Sequence, residues 1–429
     1  MINPGGQQPR KDESGGQAEA PWGRLLILGP HDICDPSSGA ELRSYHLARQ
    51  LSAFLRVVYL FFRREAGGEL ERRTLPGLGG DPLEAWRMPR PRMYTLPKLL
   101  GGLFGRTPLT LINYTCPAMR EALREVFQQR RFDFLHIEGV HMSGYLKGVL
   151  SRPDRPRAVV GDWHNVESEL LRQYGRHEGS LARRLYAAQT APKTRAAERA
   201  FLRWAEAHLA VSECDRRTLL ALEPRANVWV VENGVDVEFF AEPDRAERRR
   251  FRVLFVGAMD YHANVEAVAR FAREVWPLVR GRPGLVLTIV GRSPAASVQA
   301  LADMPEVEVT GTVADVRPFY REALVQVVPL RIGGGTRLKI LESMAAGVPV
   351  VTTALGAEGL RARPGEDYLL AESPEDFRDC IGRLTEDAEL ARHLTESARD
   401  LVRRQYDWPV VCAPLREIYA GLAAHRAPG

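Results

Sequence analysis

The chain has 429 residues, of which 45% are apolar and 26% charged, and this ordinary globular composition excludes a disordered protein. Its 37 Gly and 29 Pro follow no period, which excludes collagen-like and coiled-coil chains, and its longest apolar run, Val57 to Phe62, is far short of the ~18 residues of a membrane span. The 59 basic and 54 acidic residues leave a net charge of +5, and without a zinc-finger, RNA-recognition or helix-turn-helix signature no nucleic acid is expected as a partner. At roughly 100–200 residues per domain the length predicts two domains or three.

Residues 1–21 are polar and Gly-rich with no apolar core, so they read as a disordered tail rather than a signal peptide. Arg24 to Gly29 (RLLILG) reads as a buried strand, followed by a loop through Asp35–Gly39 and a helix over Ala40 to Ser52. Val57 to Phe62 is the next strand, so the chain opens β-loop-α-β, the unit of a parallel sheet. Phe134 to Ile137, Ala158 to Val160 and Ala207 to Val211 extend it, with helical patterns at Ala118 to Gln128, Glu167 to Tyr174 and Arg183 to Ala205. After the charged stretch Glu242 to Arg250 the alternation restarts: strands at Arg252 to Val256, Leu285 to Val290, Val307 to Thr310, Val325 to Pro329 and Pro349 to Thr352, and a helix over Val265 to Val279. Two β/α series predict an α/β chain of two Rossmann-like domains, whose ligands sit outside the carboxyl ends of the strands. Five widely spaced cysteines without a Cys-x-x-Cys pair suggest neither disulfides nor zinc, and fit a cytoplasmic location.

The densest chemical signal is Pro329 to Val351, PLRIGGGTRLKILESMAAGVPVV. A strand leads into three glycines, a cap at Thr336, and a helix stopped by Gly347 and Pro349. Glycines admit close approach of a ligand to the backbone, and a helix N-terminus attracts phosphate. One of only five lysines, Lys339, sits here with Arg337, and Lys339 and Glu342 share a helix face. Glu342 lies six residues past Thr336, about 9 Å along the axis, which suits cations on a diphosphate and a carboxylate on ribose hydroxyls. A Gly-rich turn before an ordinary helix with a surface ion pair is the competing reading; a Walker P-loop is excluded by spacing.

This segment resembles the donor-nucleotide motif of retaining family-4 (group 1) glycosyltransferases of the GT-B fold. Gly39 in the first βα loop agrees with the family, as do Val211-Ser212, Val231-Glu232-Asn233-Gly234-Val235-Asp236 and Val309-Thr310-Gly311-Thr312-Val313 with Asp315-Val316. Val256-Gly257-Ala258-Met259-Asp260-Tyr261 resembles a subgroup from exopolysaccharide clusters. The resemblance runs over roughly residues 24–424, with Pro414 to Leu422 matching the C-terminal crossover helix. It implies a GT-B fold, two Rossmann-like domains facing each other across a cleft: an acceptor domain over 22–240, a nucleotide-sugar donor domain over 241–400, and a crossover helix and tail over 401–429.

The implied activity is transfer of a sugar from a nucleoside-diphosphate sugar to a hydroxyl of a glycan or lipid-linked acceptor, with retention, in cell-surface polysaccharide synthesis. No cofactor and no metal are expected, since no Asp-x-Asp motif is present. Gly257, Gly311, Val313, Gly334, Gly335, Thr336 and Glu342 would hold the donor, with Gly39 closing on the sugar and phosphate. His141, in the loop after Phe134 to Glu138, would touch the donor sugar, and Arg337 and Lys339 would stabilise the leaving diphosphate. Asp162, His164, Asn165 and Glu167 follow another strand end and are candidates for the acceptor side, although capping explains part of their pattern. Glu138 is a remote candidate nucleophile, which favours front-face attack instead.

Three positions depart from the family pattern. Gly334 stands where a Glu is common, Ala258 replaces an Arg, and Ala263 and Asn264 lie where a Lys is usual. Two alternatives therefore stay open, a nucleotide-sugar 2-epimerase and a nucleotide-sugar-binding protein without turnover. Ala85 to Arg120 carries six basic residues and no acid, with Leu99, Leu100, Leu103 and Phe104 among them. That composition suits peripheral contact of 85–120 with an anionic membrane at the inner face, against a plain solvated surface.

Overall fold

The computed structural model describes residues 22–36, 38–66, 68–177, 181–241, 252–332 and 338–424. The expected tail 1–21, most of the charged junction, and Gly334, Gly335, Thr336 and Arg337 lie outside them. The chain forms two compact units, one through Glu232 that also takes Cys412 onward, the other Asn233–Val411.

Among the described residues the first unit has eight strands: β1 (Arg24–Gly29), β2 (Arg56–Ala66), β3 (Glu71–Leu75), β4 (Leu83–Arg90), β5 (Phe134–Glu138), β6 (Ala158–Trp163), β7 (Ala207–Ala210) and β8 (Val228–Val230). They lie in the order β3-β4-β2-β1-β5-β6-β7-β8, parallel except for β3. β1 is an unbroken apolar run because both of its faces are covered, as central parallel strands require. Its Leu26 and Leu28 pair in register with Val58 and Leu60 and join Leu135, Ile137, Met119 and Val126 in the core. From the C-terminal helix Trp408–Ala424, Tyr419 is buried in this unit, edge-on to Phe134.

The second unit holds six strands: β9 (Arg252–Val256), β10 (Val286–Val290), β11 (Val307–Gly311), β12 (Ala323–Val328), β13 (Val350–Thr352) and β14 (Leu369–Leu370). Their order is β11-β10-β9-β12-β13-β14, parallel throughout. In each sheet the first strand in sequence is central and later strands add on both sides. The order therefore reverses between β1 and β5 in one unit and between β9 and β12 in the other, and ligands of such sheets bind outside the carboxyl ends at these reversals.

Two Rossmann-like sheets follow the alternation read from the sequence, but four strands, β3, β4, β8 and the two-residue β14, lie outside it. β3 (ERRTL) is a largely exposed edge and β4 (LEAWRMPR) carries Arg and Pro, so neither has the apolar run that marks a central strand. β8 has only three residues. The helix expected over Val265 to Val279 starts earlier and is interrupted: His262–Arg270, a π-helical turn at Phe271–Val275, then Trp276–Val279.

Candidate functional site

At the carboxyl end of the second sheet three adjacent strands each run into glycine: β9 into Gly257, β10 into Gly291, and β11 at Gly311, which has φ +69°. Gly257 N–H donates to the Val290 carbonyl at 3.0 Å and Gly291 N–H to that of Gly311 at 3.2 Å. A side-chain carbon on Gly291 would collide with the carbonyl of Gly257, so this rim closes only on glycine. Gly291 directly follows the strand expected over Leu285 to Val290, and nothing local in the sequence marks its place in the rim.

The helix Leu338–Ala346 rises beside this rim. Leu338, Ile340, Leu341, Met344 and Ala345 face the core, which leaves Lys339 and Glu342 on the less covered side. Lys339 Nζ donates to Asn264 Oδ1 at 2.7 Å and lies 4.7 Å from the Phe255 ring centroid. Asn264 Nδ2 in turn donates to the Ala258 carbonyl at 2.9 Å. A Cβ on Gly257 would come within 2.8 Å of the ammonium. The carboxyl end of β9 thus has a cation although Ala258, Ala263 and Asn264 bring none.

Glu342 is half-buried, and its Oε2 accepts from Tyr320 Oη at 3.3 Å. Burial pushes its carboxyl pKa up, opposed by the Tyr320 hydrogen bond and the Lys339 charge. Tyr320, on the helix Arg317–Glu322, packs edge-on against Phe240 at 5.8 Å and was not legible in advance. Val313 is half-buried in the loop after β11. Arg317 braces that loop with hydrogen bonds of 2.8–3.0 Å to the Asp315 carboxylate and lies 4.2 Å over the Phe239 ring.

In the first unit Gly39 opens the helix Gly39–Leu51. Ser38 Oγ accepts from Glu41 N–H at 3.4 Å, and Glu41 Oε2 accepts from Ser38 N–H at 2.9 Å. Ser38-x-x-Glu41 is a capping box, a signal the sequence held and the reading passed over. One turn on, Arg43 is buried. It donates to Asp162 through Nε at 3.0 Å and Nη2 at 2.6 Å, and through Nη1 to the Val231 carbonyl at 2.9 Å and the Glu232 carbonyl at 3.1 Å. Burial alone would raise the Asp162 pKa, but Arg43 and His164 outweigh it and hold the carboxyl well below the usual range. Asp162 is fully buried and its charge is spent on Arg43, so it supports the site from beneath instead of meeting an acceptor.

Above it lie three histidines from three strand ends. His164 Nε2 is 3.1 Å from Asp162 Oδ2, and its ring stacks on His31 at 5.3 Å. His141, in the 3-10 turn Val140–Tyr145, has Nε2 at 3.9 Å from Glu167 Oε1 and its ring edge-on to Tyr114. Burial lowers the His141 pKa to about 4, assisted by His164, so the imidazole is neutral at pH 7. Burial also pushes the Glu167 carboxyl up to about 7, only partly opposed by His164. Asn165 is half-buried between β6 and the helix Glu167–His177. Glu138 is buried and accepts from Tyr59 Oη at 2.6 Å and Ser44 Oγ at 2.7 Å, an environment that keeps it from acting as a nucleophile.

His136, Glu138 and Asp162 bring potential metal-ligating atoms within 4.8 Å of one another. Each already has a partner: Tyr419 Oη on His136 Nδ1 at 2.8 Å, Tyr59 and Ser44 on Glu138, and Arg43 on Asp162. A guanidinium already neutralises the carboxylate a cation would need. This cluster is a charge-balanced support rather than a fitting metal site.

Two parallel-sheet units, each with its polar cluster outside the carboxyl ends at the point of strand reversal, define a GT-B fold. The match to solved structures agrees. Sucrose-phosphate synthase from Thermosynechococcus elongatus aligns with TM-score 0.71 over 94% of this chain and 100% of that one, at 18% identity. Anabaena HepE in complex with UDP aligns with TM-score 0.59 over 93% and 100%, at 14% identity. Residues 37–239 match the model of Glycosyltransferase Family 4 and residues 250–387 that of Glycosyl transferases group 1. With the fold, these tandem matches place the chain in the GT-B glycosyltransferase superfamily. A phosphatidyl-myo-inositol mannosyltransferase of Mycobacterium tuberculosis is 30% identical over 210 residues, 46% of this chain and 55% of that protein. The chain thus spans about half the length of that curated relative. No helix among the described residues is long and apolar enough to cross a membrane.

Proposed function

We propose that the protein is a glycosyltransferase that moves a sugar from a nucleoside diphosphate to an acceptor hydroxyl with retention of configuration. The observation that carries this reading is the placement of Lys339 at the glycine rim of β9, with Glu342 three residues further along the same helix face. A rim of glycines without side chains beside an ammonium lets a diphosphate approach the cation closely, and a desolvated carboxylate suits the two hydroxyls of a ribose. HepE, a protein of the same fold, is in complex with UDP, which supports a nucleotide as a ligand of this chain.

In the reaction the bond from the anomeric carbon to the diphosphate oxygen breaks as the acceptor oxygen bonds that carbon on the same face. The acceptor proton passes to the departing phosphate oxygen. Lys339 and the N-terminal end of its helix stabilise the charge that develops there, a preorganised electrostatic role. The neutral His141 is suited to hydrogen-bonding a sugar hydroxyl without carrying a charge into the contact, and the Glu167 carboxyl offers oxygens that accept from hydroxyls. The acceptor side is assigned to His164, Asn165 and Glu167, in the first unit. No metal has a step in this scheme.

The test is a panel of uridine, guanosine and thymidine diphosphate sugars, screened by thermal shift and then assayed for nucleoside diphosphate release with a hydroxylated acceptor. Acceptor-dependent release that persists in EDTA supports the reading. Binding without release would leave a sugar-nucleotide-binding protein, and an isomerised sugar nucleotide without acceptor would make it an epimerase.

A further inference from the structure

The helix Leu96–Phe104 (LPKLLGGLF) buries none of its residues. Leu96 and Phe104 are 69% and 81% exposed, and Leu99, Leu100 and Leu103 are exposed between them. The start of the helix Leu181–Trp204 adds the exposed Leu181 and Leu185, four apart on one face, with the exposed Tyr186 next to them on the flank. The two segments are joined: Gln189 Nε2 donates to the Leu103 carbonyl at 2.6 Å, and Lys193 Nζ donates to the carbonyls of Gly102 and Leu103 at 2.8 and 2.9 Å. Tyr94, also exposed, lies close enough to Tyr186 to perturb its phenol electrostatically. The apolar side chains therefore form one ridge, larger than the scattered exposed leucines of an ordinary soluble surface.

The two stretches that carry the ridge are basic. Residues 88–120 carry Arg90, Arg92, Lys98, Arg106 and Arg120 with no acid, and residues 184–197 carry Arg184, Lys193 and Arg195, also with no acid, while Arg87 is buried and paired with Asp32 and Glu71 away from it. A second copy of the chain would meet this rim with the same rim, cation against cation. An apolar ridge set among cations instead complements a surface that is anionic outside and apolar just beneath.

We propose that the ridge of Leu96–Phe104 and Leu181–Tyr186 docks the protein on an anionic phospholipid bilayer, with the leucines and Phe104 entering the acyl boundary and the cations at the headgroups. The proposal does not depend on the glycosyltransferase reading.

The experiment is co-sedimentation of the full chain with vesicles of phosphatidylglycerol and phosphatidylcholine, and with phosphatidylcholine alone. Binding is expected to the anionic vesicles only, and to fall at least tenfold between about 50 mM and 500 mM salt as the headgroup attraction is screened. L100E/F104E and, separately, Leu185→Glu should each lower partitioning at least tenfold while leaving the circular dichroism spectrum, the melting temperature and nucleotide binding unchanged. Equal binding to neutral vesicles, or anionic binding that survives both variants, would overturn the proposal. So would a wild-type dimer in sedimentation velocity that L100E/F104E converts to monomer, since the ridge would then be a contact between copies.

Discussion

At the scale of single residues, the candidate donor site rests on two side chains with different duties. Lys339 is held by Asn264 and the Phe255 ring before any ligand arrives, so its charge is in place when a diphosphate departs. Lys339→Ala should cost about 2–4 kcal/mol in kcat/KM, the size of losing one preorganised donor, with little change in melting temperature. An unchanged rate would put the countercharge elsewhere. Glu342 is remote from the breaking bond and should act equally on ground and transition state, moving KM more than kcat. Glu342→Ala should weaken a free nucleoside diphosphate by about 1.5–3 kcal/mol and abolish preference for ribose over 2′-deoxyribose. Tyr320→Phe separates positioning from contact. It removes the hydroxyl that orients the carboxylate but leaves the carboxylate, so calorimetry should find a loss of only about 0.5–1.5 kcal/mol with ribose discrimination retained. Discrimination undiminished in Glu342→Ala would remove that residue from the site.

At the scale of elements, the helix Gly39–Leu51 is pinned through Arg43 to β6 and to the carbonyls of Val231 and Glu232, where the chain leaves the first unit. Removing one member of a buried pair strands the other charge. Asp162→Asn should therefore destabilise the first unit by about 3–5 kcal/mol, whereas R43M/D162L should recover much of that loss because no charge is left buried. Equal destabilisation in both would show that the carbonyl contacts of Arg43, rather than the ion pair, hold the helix. The pair also shows what a sequence makes legible. β1 and β9 announce themselves as apolar runs, and Lys339 and Glu342 as neighbours on one helix, because both signals are local. Arg43, one turn past Gly39, reads from the sequence as help for that glycine at the sugar and phosphate, and only the fold brings Asp162, 119 residues away, against it. Tyr320 likewise has no local signal, and only the fold brings its hydroxyl to Glu342, 22 residues away. The edge strand β3 escaped because an edge needs no alternating or continuous apolar pattern, only backbone partners on one side, and β4, paired on both sides, escaped because Glu84, Arg87, Pro89 and Arg90 break its apolar run.

At the scale of the whole molecule, stability depends on pH through carboxyls that the fold takes out of water. Glu198 is fully buried in the helix Leu181–Trp204, accepting from Ser168 N–H at 3.0 Å and Ser168 Oγ at 2.5 Å. Burial pushes its pKa up to about 7, and the nearby Glu167 adds to the rise. A carboxyl whose pKa is higher folded than unfolded favours the folded state while protonated. That contribution is complete below the unfolded value near 4.5 and is lost as pH rises through about 7. His141, lowered to about 4, works in the opposite direction: its contribution is present above about 6.5 and is lost as the pH falls through about 4. Between about 4.5 and 6.5 the two oppose each other. The buried His46, His136 and His208, also held low by burial, add to the loss on the acid side, and Glu198 and Glu167 contribute the loss on the alkaline side. Glu198→Gln keeps an acceptor for Ser168 but cannot ionise. Its melting temperature should match wild type near pH 5 and exceed it near pH 8, by an amount corresponding to at most about 2–3 kcal/mol. Thermal melts of both proteins across that range decide the matter, and parallel curves would mean that Glu198 stays ionised in the fold.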